Sequence, residues 1–430
     1  MLKEQTVRAI REVGARAVFD SNGIPAIEVE IVAEGGVRAA EAAPRGSTTG
    51  EFEAYVLEDA AALPTLAAVA PALASVADLV RPALIGRDVC DQRAVDTALR
   101  ELDGGAWFRR IGGNVAVATS MAVARAGALA TGRPLYRHLA AARPSRLPVP
   151  MFNIADGAVG SNTVYTEFLL LPTTREPAAA LDQGVRVRAA LAARLAGKGH
   201  RCSDSTQGGW SVDLGGCEPT MELIVSAAED CGLVGGRDFH LGLDLSGAEF
   251  AGPAGYVFPW SANPLSTADL ARRYLDWVRT YPLTFLEDAF APTDEAAWRG
   301  LRERLAGRAA VVGDDLFASD AERIDRGVAA GLADGALIKP NQVGTVTQAL
   351  DALALGARHG ISTVVSQRSG ENASDFITHL AVAGGADWLK AGGPARMDRV
   401  AKFNELLRIA EELSREQPAG ETEAASGGRR

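Results

Sequence analysis

Lysine is scarce in this chain, with five lysines among 44 Lys+Arg residues, yet two of the five end short apolar runs, GALIK (Lys339) and ADWLK (Lys390). Other runs of the same kind meet a polar group: TEFLLLP at Glu167, HLGLD at Asp244, LTFLE at Glu287, AVVGD at Asp314 and STVVSQR at Arg368. Asp244, Glu287 and Asp314 are three carboxylates on three successive runs. Converging anions repel unless a cation offsets them, and oxygen ligands without His or Cys suit a hard divalent ion, Mg²⁺ first. A lysine beside such a metal and a second ammonium can have its pKa lowered enough to act as a base near neutrality, which a guanidinium cannot do. Lys339 is therefore the candidate base, and Glu167 the candidate acid on the opposite side. Base, metal and acid together suit removal of a proton α to a carboxylate, with the negative charge offset by the metal, followed by loss of a β-group.

Such residues need elements that bring them together. From Pro148 onward apolar runs alternate with helical stretches, the last few runs recurring at roughly the length of one βα unit. Parallel βα units close into a barrel whose strand ends share one face, where active sites sit. Any one of Asp156, Asp288 or Asp315 alone fits a loop-end charge or a helix cap. The whole set does not, because one periodic register places all seven strand-end residues.

Residues 1–60 read as strands and turns. AIEVEIVAE alternates between SNGIP and EGG, and VRAAEAAP leads into the Gly/Ser/Thr-rich loop RGSTTGEFEA. Residues 61–143 are alanine-rich with helical periodicity. The expected organisation is an N-terminal α+β domain over 1–143, a β/α barrel over 144–415, and a disordered tail over 416–430.

Composition bounds the function. A net charge of −10 argues against a nucleic-acid footprint. Four scattered cysteines without CxxC pairing argue against a zinc site or a disulfide framework. With no secretory h-region at Met1 and no uninterrupted apolar run long enough to span a bilayer, a cytoplasmic protein is expected.

At this point the residues resemble a family. DSNGIPAIEVE, RGSTTGEFEA, LIGRDVCDQRAVDTALRELDGG, PVPMFNIADG, LEDAFAPTDEAAW, VVGDDLFAS, LIKPNQVGTVTQ, VVSQRSGE and DRVAKFNELLRIAEEL are similar to segments of the enolases, in order, over nearly the whole chain. The resemblance implies an N-terminal α+β domain, a modified (β/α)8 barrel and a homodimer or higher homo-oligomer. It also implies two Mg²⁺ ions and dehydration of 2-phosphoglycerate to phosphoenolpyruvate. By position, Asp244, Glu287 and Asp314 match ligands of the first metal, and Lys339 the base. Lys390 matches the lysine on the substrate carboxylate, and Arg368 and Ser369 the phosphate-binding pair. Thr48 replaces the loop serine that joins the second metal.

The departures gather in the site. The loop DGAVGSNTVYTE has no histidine, where the family has one. Gln207 stands where the family has a glutamate that helps protonate the leaving hydroxide, Gln367 where it has a histidine, and Asn22 where it has an arginine. Arg45 replaces the serine of the closing loop and adds a cation beside the phosphate region. None of the five histidines fills a lost position. The reading preferred on sequence is an enolase-family lyase for a larger substrate, resembling the carboxyphosphonoenolpyruvate synthases of phosphinate pathways. There Arg45 would pair with a second carboxylate. The alternatives are an ordinary phosphopyruvate hydratase and an inactive enolase-like protein.

Overall fold

The structure, a computed structural model, describes residues 8–46, 50–142, 146–157 and 161–416. The expected domain boundary at 143/144 lies outside these residues, as do Thr48 and the tail beyond Glu416.

The N-terminal sheet is an antiparallel meander of β1 (Ile10–Phe19), β2 (Pro25–Ala33) and β3 (Arg38–Ala42). The β1–β2 turn forms because the Asp20 carboxylate accepts from the backbone of Asn22 and Ile24, each at 2.8 Å, an Asx turn completed by Gly23 at φ 74°. In β2 the alternation works as written: Ile27, Val29, Ile31 and Ala33 are buried on one face. That face meets the helix Gly113–Thr131, which is apolar nearly all round and buried over most of its length. The alanine-rich stretch Leu66–Leu84 is helical but not uniform: a 3₁₀ turn (Leu66–Val69), an α segment (Ala70–Ser75), a π turn (Val76–Val80) and a last α turn (Arg81–Leu84). By length and composition this stretch could cross a membrane. Here it packs on β1 and β2, and Arg81 Nε donates to Val13 O at 2.9 Å.

The second half is a closed eight-stranded barrel with helices outside. Its strands are β4 (Val149–Asp156), β5 (Glu167–Pro172), β8 (Phe239–Asp244), β11 (Leu283–Glu287), β12 (Ala310–Gly313), β13 (Gly335–Ile338), β14 (Ser362–Ser366) and β15 (Trp388–Lys390). Two short hairpins, β6–β7 (Ser203–Asp204, Trp210–Ser211) and β9–β10 (Ala251–Gly252, Gly255–Tyr256), decorate it. Closure comes from β15 pairing with β4. One strand departs from the all-parallel expectation: β5 runs antiparallel to both β4 and β8. A short loop joins β4 to β5, too short for the helical crossover that parallel pairing needs.

The barrel interior explains the site's address. Met151, Leu169, Leu171, Phe285, Val312, Leu337 and Val364 fill it as an apolar plug. Strand side chains alternate faces with period two, so the residue two places along points inward one layer higher. Phe285 is followed by Glu287, Val312 by Asp314, Leu337 by Lys339 and Val364 by Ser366. The antiparallel strand obeys the same rule in reverse, with Glu167 two residues before Leu169. The plug thus forms the floor of a polar mouth.

Candidate active site

Register sets the first three carboxylates side by side. Glu167 lies opposite Asp244, and Asp244 opposite Glu287, on neighbouring strands. Glu167 therefore reaches the mouth from the start of its strand, not from its end. Asp314 and Lys339 each follow immediately on the last residue of their strands. Arg368 and Ser369 come from the loop after β14. Glu167, Gln207, Asp244, Asp314, Lys339, Gln367, Arg368, Ser369 and Lys390 line one cavity of about 140 Å³, joined by Glu53, Tyr165, Ser246, Asp288 and Asp315. Glu287 is fully buried just beneath. None of the five histidines lines this cavity.

The two lysines divide the carboxylates between them. Lys390 Nζ lies 3.0 Å from Glu167 Oε2, 3.0 Å from Asp244 Oδ2 and 2.6 Å from Glu287 Oε2. Lys339 Nζ pairs with Asp314 Oδ2. Burial pushes the Glu287 carboxyl well above its usual range, and Asp244 and Asp314 add to the effect against Lys390. For Lys390, burial disfavours the charge, but Asp244, Glu167 and Glu287 outweigh it and hold the ammonium well above its ordinary value. Burial likewise works against charge on Asp314, but Lys339 overrides it and lowers the pKa. Lys339 itself is raised: burial alone would depress it, and the Asp314 charge wins. The protein's own groups therefore move Lys339 away from neutrality, opposite to the sequence-based expectation, because that expectation counted the neighbouring ammonium and a metal but not the touching carboxylate.

Backbone and side chains brace these groups. Ser319 Oγ accepts from Lys339 N at 2.8 Å and donates to Gln342 Oε1, while Gln342 Nε2 donates to Asp314 Oδ1 at 3.0 Å. Asp288 accepts from the backbone of Asp314 at 2.9 Å and of Asp315 at 3.0 Å. Although the carboxylates of Asp288, Asp314 and Asp315 lie within 4.8 Å of one another, Asp288 is thus committed to shaping the turn. Burial, with Asp314 adding, pushes Asp315 up to about 7. Tyr165, Ser246 and Asp288 all hold positive φ at the rim, a conformation that side chains rarely adopt.

The residues expected to meet the phosphate are partly engaged. Arg368 is buried and forked onto Glu53, Nη1 to Oε2 at 2.7 Å and Nη2 to Oε1 at 3.2 Å. Arg45 stands next door through its backbone, which bridges Gly370. Its guanidinium, however, is held by both oxygens of Glu58 and does not line the cavity. Asn22 Nδ2 reaches the same loop, donating to Ser369 O at 3.1 Å. Gln207 Nε2 donates to Glu167 Oε1, and Gln367 Nε2 to Gln207 Oε1 at 2.6 Å.

Sequence reasoning missed Glu53, Gln342, Tyr165 and Ser246. Glu53 and Gln342 sit inside motifs already singled out, RGSTTGEFEA and LIKPNQVGTVTQ, so motif membership was the available signal. Tyr165 and Ser246 carry none beyond adjoining Glu167 and Asp244.

A hard cation fits the donors present. All are carboxylates, they outnumber the ammoniums, and Glu287 Oε1 is buried without a hydrogen-bond partner among the described residues. Asp244, Glu287 and Asp314 are the groups that would hold it.

The comparisons agree with this geometry. The family profile described as Enolase, N-terminal domain, matches residues 10–139, and Enolase, C-terminal TIM barrel domain, matches 144–425. A curated protein named "Enolase" from Acidothermus cellulolyticus is 40% identical over 407 residues, covering 94% of each chain. With both domains matched in order and the barrel mouth built as described, the chain belongs to the enolase family of carbon–oxygen lyases.

Proposed function

We propose that the chain is a Mg²⁺-dependent hydro-lyase that removes the α-proton and β-hydroxyl of 2-phosphoglycerate, giving phosphoenolpyruvate. The observation that carries this reading is the placement of Lys339 and Glu167 on opposite strands of one carboxylate-rich mouth. Lys339 would take the α-proton at Nζ once a cation at Asp314 offsets the carboxylate charge that otherwise holds its ammonium protonated. Lys390 holds the substrate carboxylate, and Arg368 and Ser369 hold the phosphoryl group. To do so, Arg368 must exchange Glu53 for the phosphoryl oxygens. Glu167 faces the departing hydroxyl and delivers its proton. Gln207 cannot carry a proton, so the amide at 207 supplies no second acid to Glu167. Bound at Asp244, Glu287 and Asp314, Mg²⁺ supplies the positive charge that offsets negative charge developing on the substrate carboxylate. A second ion, with Thr48 as a ligand, and a homo-oligomeric, cytoplasmic enzyme are parts of the same proposal that rest on the family.

One observation favours a second reading, an analogue bearing phosphonoformate. Two groups that titrate in the family are amides here, at 207 and 367, which alters the leaving-group side. Against it, Arg45 is already paired with Glu58 and offers no free fork to a second carboxylate. The relative at 40% identity bears the plain name. The 2-phosphoglycerate reading is therefore placed first. Pure protein with Mg²⁺ and 2-phosphoglycerate should give the ultraviolet absorbance of the new enol double bond. No rise with 2-phosphoglycerate, but a rise with the phosphonoformyl analogue, would reverse the order. No rise with either, and no Mg²⁺ binding by calorimetry, would remove both.

A further inference from the structure

Arg399 is fully buried, lies on the helix Met397–Glu416 that follows β15, and has no place in the mechanism above. Its guanidinium gathers two loops: Nη2 donates to Thr206 O at 3.0 Å and Ser369 O at 2.8 Å, and Nη1 to Arg368 O at 2.8 Å. Nη1 also donates to Gln367 Oε1. A guanidinium has only donors, so it dictates which end of the next amide faces it. Gln367 must present its oxygen to Arg399, which leaves its Nε2 to donate to Gln207 Oε1 at 2.6 Å. Gln207 must then donate its own Nε2 to Glu167 Oε1. The other Glu167 oxygen faces Lys390 at 3.0 Å. The path is packed for this arrangement. Gly392, at φ 92°, has no room for a Cβ, which would come within 2.8 Å of Gln367 Oε1 and 2.5 Å of Gln207 O.

We propose that Arg399, Gln367 and Gln207 form a one-way chain of hydrogen bonds that positions Glu167, so that two neutral amides orient the acid without exchanging protons with it. Arg399, Gln367 and Gln207 are positioning residues in this proposal. It rests on the β-elimination reading above for its kinetic consequence, but not for its geometry. Lys339, on the opposite wall, is outside the chain. Removing the chain should therefore damage departure of the hydroxyl and spare removal of the α-proton.

The test uses Gln367→Glu and Gln207→Leu. Glutamate at 367 keeps the size and the Arg399 contact but has no Nε2. Gln207 must then turn its amide over and set its oxygen against Glu167. In D₂O with Mg²⁺ and 2-phosphoglycerate, α-proton exchange is followed by NMR and product by absorbance. Both variants should keep exchange within about threefold of the parent while product formation falls by about 10²-fold or more. Equal loss of exchange and product, or loss of neither, overturns the proposal. Independently of any activity, a neutron crystal structure of the Gln367→Glu protein, which tells the amide nitrogen from its oxygen, should show Gln207 Oε1 and not Nε2 against Glu167. An unchanged Gln207 Nε2–Glu167 contact there also overturns it. A parent protein that neither exchanges nor eliminates counts against the function proposed above, and the crystal structure then decides the chain alone.

Discussion

Asp156→Asn should stabilise the protein more as pH rises. Asp156 ends β4 and is buried. Its Oδ2 accepts a long hydrogen bond of 3.3 Å from Asn153 Nδ2, and its Oδ1 has no partner of good hydrogen-bond geometry among the described residues, although the Ser205 side chain is near enough to oppose the effect of burial. Burial pushes its carboxyl up to about 7, and the charge of Glu167, its cross-strand neighbour, works in the same direction. An Asp in an unfolded chain titrates near about 3.9. The folded state thus holds this proton more tightly. Below about pH 4 both states are protonated and the group costs nothing. From there to about pH 7 the unfolded state releases the proton first, so stability falls as pH rises, and above about pH 7 the loss is complete. Three pKa units at about 1.4 kcal/mol each set the total near 4 kcal/mol. Asparagine has no such titration. Its advantage over aspartate should therefore grow by about 3 kcal/mol between about pH 5 and pH 8. For a chain of this length that is a rise in Tm of roughly 3 °C, read as the variant-minus-parent difference in thermal scans with EDTA present. A difference that stays constant across that range would refute the assignment of a protonated buried Asp156.

Three further outcomes follow from the site. Mg²⁺ at about 100 times its Kd should raise parent stability by about 2.7 kcal/mol in thermal scans, and Glu287→Gln should lose most of that gain while remaining folded; an equal gain would remove Glu287 from the ligand set. Arg368→Lys loses the planar fork and should raise KM for 2-phosphoglycerate about tenfold or more, with a smaller change in kcat, checked by steady-state kinetics. Burial pushes the Cys217 thiol far up, and that side chain is fully inaccessible, so a thiol reagent at about pH 8 should modify Cys90, Cys202 and Cys231 and reach Cys217 only after denaturation, as peptide mapping would report.

Much of the barrel was legible because inward-facing positions alternate with period two, and each apolar run carries its polar residue one layer above the plug. The same periodicity cannot tell a strand's direction, which is why Glu167 was read as a run's end although it begins the antiparallel β5. Charges could be located but not paired. The Arg45–Glu58 and Arg368–Glu53 forks join the closing loop to partners near and far along the chain, and neither pairing leaves a mark in spacing. Lys339 shows the same limit: its position was readable, but its touching Asp314 partner reverses the expected direction of its pKa. Gln207 and Gln367 looked like separate losses. Only their contact, and Arg399 behind them, joins them into one structure.

The central claim is that Lys339 is the base for the α-proton of a 2-phosphoglycerate-type substrate. Exchange of that proton with D₂O, measured by NMR with Mg²⁺ present, tests it most directly. The parent protein should exchange the proton and the folded Lys339→Ala variant should not. Exchange that persists in the variant would contradict the account.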